Sequence, residues 1–138
     1  MSEPQWSEVR APSLDAFAAL AEAALAALPE EFRRLIGEVE MRVLDFAEEE
    51  VLDELGIEDP FELTGLYQGV DLSRRSVTDP GPLRSMVFLY RRPILDEWCE
   101  HGEIALGELI GHVLVHEIAH HFGFSDAQIA AIEAEAET

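Results

Sequence analysis

Apolar residues recur at Leu14, Phe17, Ala18, Ala21, Leu25 and Leu28 after a polar opening that carries two prolines. That spacing keeps them on one side of a helix, so it predicts helix over residues 14–28, with Ser13 as the N-cap. Pro29 begins a second short helical stretch that runs to Ile36 and closes at Gly37. Over Glu38–Phe46 the period changes to two. Val39, Met41 and Val43 alternate with Glu40, Arg42 and Leu44, which predicts a strand with one wet face. Glu48–Leu55 reads as a short helix closed by Gly56, with acids at its start where the helix dipole favours them.

Asp59-Pro60, Gly65 and Gly69 mark a turn-rich segment with a short strand over Leu66–Val70. Asp79-Pro80-Gly81-Pro82 is the strongest turn signal in the chain. Ser85–Tyr90 is a continuous apolar strand, and Pro93–Glu100 a helix followed by Gly102. Glu103–Phe122 is apolar almost all round, which predicts a buried helix ending at Gly123. A last helix covers Ser125–Glu135, with Ser125 and Gln128 at capping-box spacing. There is no internal repeat. Residues 1–12 read as a flexible N-terminal arm and 13–138 as a single domain of helix-rich α+β class with a small sheet.

Charge narrows the partners. Nine Arg and no Lys stand against 29 Asp plus Glu in 138 residues, a formal net charge of −20. Nucleic-acid binding needs clustered cations, and anionic membranes repel such a chain, so neither is expected as a partner. No apolar run approaches the ~20 residues of a membrane span, and Met1–Arg10 lacks a signal-like pattern, so a cytoplasmic location is expected. The single cysteine, Cys99, leaves no intrachain disulfide and no Cys-rich zinc site. Beside Trp98 it reads as a packed thiol.

The chemistry lies in His116-Glu117-Ile118-Ala119-His120-His121-Phe122-Gly123-Phe124-Ser125-Asp126, an HExxHxxGxxD pattern. Residues four apart on a helix share a face, with Cβ atoms about 5–6 Å from each other. His116 and His120 can therefore direct two imidazoles at one metal ion. Glu117 is turned ~100° from His116 and flanks the metal, where its carboxylate can take a proton from bound water. Gly123 frees the chain to turn and bring Asp126 back as a third ligand, leaving the fourth position open. HExxH alone arises by chance in a few per cent of such chains. With Gly and Asp at fixed offsets the odds drop to roughly one in ten thousand.

Together with Gly65-Leu66-Tyr67-Gln68-Gly69 and the strand that runs into Tyr90-Arg91-Arg92-Pro93, this motif resembles the small bacterial zincin-like metallopeptidase family, roughly from Ile36 to Ala127. The resemblance implies a minimal zincin-like fold, with a small twisted sheet packed on a backing helix and on the helix carrying the motif. It also implies one Zn²⁺ per chain held by His116, His120 and Asp126, with Glu117 as general base. The activity implied is zinc-dependent hydrolysis of peptides or unfolded proteins. Unlike larger zincins, the chain has no Met after Asp126, and no His, Tyr or Arg there either. A transition-state donor must then come from upstream, where Tyr67 and Tyr90 are the only tyrosines. A metal-stabilised binding or regulatory domain is the competing expectation. His112, one turn before His116, reads as a packing or solvent-contact residue, His121 as a surface or outer histidine, and Arg91 and Arg92 as surface partners for acids.

Overall fold

The first helix starts where its cap predicts: Ser13 Oγ accepts from the Ala16 amide at 3.1 Å, and α1 spans Leu14–Ala26. The computed structural model describes residues 7–36, 39–69, 85–121 and 124–137. The predicted positions of Gly37, Val70, Gly123 and the Asp79–Pro82 turn lie outside them. Pro29 ends α1 early, because the residue before a proline is pushed out of the helical region. Phe17, Ala21 and Leu28 are buried, whereas Leu14, placed on the same stripe by its spacing, is 41% exposed. It sits in the first turn, beyond the end of the surface that α1 covers.

The remaining elements are α2 (Glu30–Ile36), β1 (Val39–Leu44), α3 (Glu49–Leu55), β2 (Gly65–Gly69), β3 (Ser85–Tyr90), α4 (Arg91–His101), α5 (Leu106–His121) and α6 (Asp126–Glu137). A short 3₁₀ turn over Pro60–Glu62, which the sequence marks only as a turn, starts at Asp59, whose carboxylate accepts from the Phe61 amide. The strands form one mixed sheet in the order β1-β3-β2. β1 runs parallel to β3 and β2 antiparallel to it. The fold is thus a small α+β unit, as its patterning requires.

Alternation along β3 divides the apolar residues into two bodies. Val87 and Leu89 join the main core with Phe17, Ile110, Leu114 and Ile118. Tyr90 joins a smaller cluster with Ala47 and Leu52, packed against Leu44, Leu66 and Phe88. Leu44, grouped by its spacing with the wet face of β1, is accounted for by this second cluster. α1 lies against β1 and α5 against β2, so the two helices share one side of the sheet.

Helix α5 begins at Leu106 rather than Glu103. Gly102 turns the chain at φ 65°, and the Trp98 indole N–H donates to the Ile104 carbonyl at 2.7 Å, holding the short loop before the helix. α4 starts two residues earlier than its Pro93 suggests. Arg91 donates from Nε to the Pro12 carbonyl at 2.6 Å and pairs with Asp45 at 2.8 Å, which ties this corner together. Cys99 is exposed, not packed, because α4 buries Pro93 and Ile94 on its other side. Among the described residues no helix is long and apolar enough to cross a membrane.

Core position and surface position should separate cleanly in denaturant melts. Leu114 is fully buried and Leu55 is 49% exposed. Leu114→Ala is expected to lose about 2–5 kcal/mol of stability, and Leu55→Ala no more than about 0.5 kcal/mol. Equal losses would place the core elsewhere.

Candidate functional site

α5 is packed on most of its circumference, with Ile110, Leu114, Ile118 and Ala119 all inaccessible. Among its described polar residues, Glu108, His112, His116 and Glu117 all keep some access to solvent. His112 is exposed, and His116 and Glu117 are half-buried. Glu117 is positioned by the strand opposite. A Cβ on Gly65 would lie 3.0 Å from Val113 Cγ1, 3.2 Å from Glu117 Cγ and 3.3 Å from the Phe88 carbonyl oxygen. A side chain here would meet three neighbours at once, so glycine suits this close approach of β2 to the helix. The spacing marks Gly65 as a turn residue. Its real service is this close approach, and the signal for it was the run Gly65-Leu66-Tyr67-Gln68-Gly69, with glycine at both ends of a strand.

Tyr90 ends β3 at the same end of the sheet. Its amide donates to the Thr64 carbonyl at 2.9 Å, just before β2, and its ring stacks on Phe88 with centroids 6.5 Å apart. Burial, and after it the negative charges of Glu48 and Glu117, push its phenol up to about 12. The hydroxyl therefore stays protonated through the neutral range. Tyr90 feels the Glu117 charge, and Tyr67, the other upstream tyrosine, is a member of the main core.

His116 and Glu117 are neighbours on α5, and His120 follows one turn later on the same helix. Asp126 is the first residue of α6. The side chains of His120, His121 and Asp126 lie outside the described set. Among the described residues no group of three or more His, Cys, Asp or Glu stands together as a metal ion would need. His116 is the one predicted ligand whose side chain is described. The backbone does return after α5: the Phe124 amide donates to the Ala119 carbonyl at 2.9 Å, the five-residue bond of a closed helix end. Phe124 also packs edge-on against Phe32, at 5.9 Å. The capping box follows at once. Ser125 N–H donates to Gln128 Oε1 at 2.8 Å, and Gln128 N–H to Ser125 Oγ at 3.2 Å. This fixes where α6, and with it the Asp126 backbone, begins.

His112 is where spacing alone understates the site. Its ring lies against that of His116, with centroids 4.2 Å apart and planes at 42°. The four-residue interval was the available signal. Compared with known families, residues 36–136 match the model described as zincin-like metallopeptidase. No curated protein matches the chain.

Two measurements check this geometry. Gly65→Ala should lower stability by about 1–3 kcal/mol, and less so in a Val113→Ala background, because part of the clash is with that side chain. Strict additivity would move the clash off Val113. For Tyr90 the folded state holds its proton to higher pH than the unfolded chain does, so stability is complete below about pH 10. It should fall between about pH 10 and 12, by on the order of 2–3 kcal/mol. Tyr90→Phe should flatten that part of the stability–pH curve.

Proposed function

The chain belongs to the zincin-like metallopeptidase family, and on that premise we propose that it hydrolyses peptide bonds with one Zn²⁺, using Glu117 as general base. His116, His120 and Asp126 would hold the ion. The donor chemistry fits. Two imidazoles and a carboxylate are a catalytic zinc set, and His116 and His120 stand four apart on the continuous helix α5. When bound, zinc supplies a Lewis acid for the peptide carbonyl and lowers the pKa of water to about 7.

The observation that carries the reading is the placement of Glu117 between α5 and β2. Gly65 brings the start of β2 onto the Cγ of Glu117, which puts this side chain next to a strand that an extended chain could pair with. β2 is an edge strand of the described sheet, and an edge offers main-chain hydrogen bonds to a peptide. Its partner is then a peptide or an unfolded protein segment, taken in extended form. Glu117 takes a proton from the attacking water and passes it to the leaving amine. Tyr90 offers no competing base, because its phenol stays protonated to about pH 12. It is also an upstream hydroxyl that shares the field of Glu117.

Glu117→Gln separates binding from chemistry. Glutamine is nearly isosteric and leaves the ligands in place, so the variant should keep its zinc and its melting temperature. Loss of the proton acceptor should cost 10²–10⁴-fold in peptide hydrolysis, on the order of a typical general base. Equal cleavage by wild type and variant would assign the activity to another base or another protein. If zinc-loaded wild type cleaves nothing across broad peptide pools, a metal-stabilised binding domain is the better description.

Metal analysis tests the ligands separately. His120→Ala should lose most of its zinc, and affinity should weaken as pH falls below about 6, where imidazole takes up protons.

A further inference from the structure

The geometry points to His112 as a positioning residue for His116, an inference that rests on the reading of His116 as a metal ligand. The two rings are one helical turn apart on α5 and touch, with centroids 4.2 Å apart and a 42° tilt. Two imidazoles sharing one zinc at a tetrahedral angle, with Zn–N about 2.0–2.1 Å, keep their centroids about 5 Å apart. A separation of 4.2 Å is direct ring-on-ring packing, which lets His112 act as a support for His116.

His116 needs such support because of what lies beyond. His112 lines an open cavity of about 770 Å³ between α1, α4 and α5, and His116 does not. Gly107 and Gly111, on the same stretch of α5, line that cavity without side chains to fill it. A Cβ on Gly107 would meet nothing within 4 Å. With the His112 ring removed, the His116 imidazole gains room on that flank. A side chain in a helix has two common χ1 wells, and a ligand free to sample both spends less time aimed at the metal. His112 is itself exposed, so it can serve in this way while contributing little to the core.

The test uses the full chain and zinc itself. Affinity is measured by competition with a chromophoric chelator, and ligand geometry by the visible spectrum of the cobalt-substituted protein. His112→Ala should weaken zinc binding about tenfold, at the lower end for lost outer partners of a metal ligand. It should also alter the cobalt bands, yet leave the melting temperature of the metal-free protein unchanged. His112→Phe, which restores a ring but no nitrogen, should recover most of the affinity and the wild-type spectrum. Wild-type affinity and spectrum in His112→Ala would overturn the inference. So would His112→Phe behaving like His112→Ala, since the nitrogen and not the ring would then matter. His116→Ala serves as the separate control. If it keeps full zinc affinity, the ligand reading fails and takes this inference with it. If it loses zinc while His112→Ala does not, only the inference fails.

Discussion

Gly65 brings the backbone of β2 to within side-chain contact of α5, and a methyl group at that position would press on Val113, Glu117 and the Phe88 carbonyl together. The neighbours cannot simply yield. Val113 is nearly inaccessible, and Phe88 belongs to the central strand, hydrogen-bonded on both sides. Close packing of this kind leaves little slack between helix and strand. Glu117 inherits that precision, because its Cγ is one of the atoms in contact. A general base must sit within hydrogen-bonding reach of its proton. If Glu117 is that base, core packing would set its reach.

The fold was readable where local rules act alone. Ser13 caps α1, Gly56 and Gly102 adopt positive φ as helix ends, and Ser125 and Gln128 form the reciprocal box that their spacing foretold. The strand over Ser85–Tyr90 has the predicted bounds. Errors arose where distant residues decide. The beginning of α5 depends on the Trp98–Ile104 hydrogen bond. The exposure of Leu14 and Cys99 depends on how far the core extends beneath α1 and α4. For the site, helical period was enough to put His116, Glu117 and His120 on one stretch of α5. The strand order was not legible, so nothing in the sequence said that Gly65 would face Glu117 or that Tyr90 would feel its charge. Those facts belong to the pairing of β2 with β3.

α5 carries two demands that pull apart. As the buried helix of the domain it must be apolar on nearly every side, and Ile110, Leu114, Val115, Ile118 and Ala119 meet that demand. As the bearer of the motif it must keep imidazoles and a carboxylate at an accessible edge. His112, His116 and Glu117 supply that edge within two turns of α5. A bound ion would add stability by mass action to a domain that already has a packed interior.

The site also sits where the two apolar bodies meet. Val87 and Leu89 face the main core, whereas Phe88 and Tyr90 face the smaller cluster around Leu52. Gly65 pairs with Leu89, and Tyr90 donates to Thr64, so the first residue of β2 and the last of β3 lie together. Glu117 reaches this junction from one side of the sheet, and its charge is felt by Tyr90, whose ring packs on the other. A carboxylate placed here is only half-buried and keeps access to solvent, while the phenol beside it is sealed and stays neutral. Burial and the negative charges of Glu48 and Glu117 together hold that phenol in its neutral form.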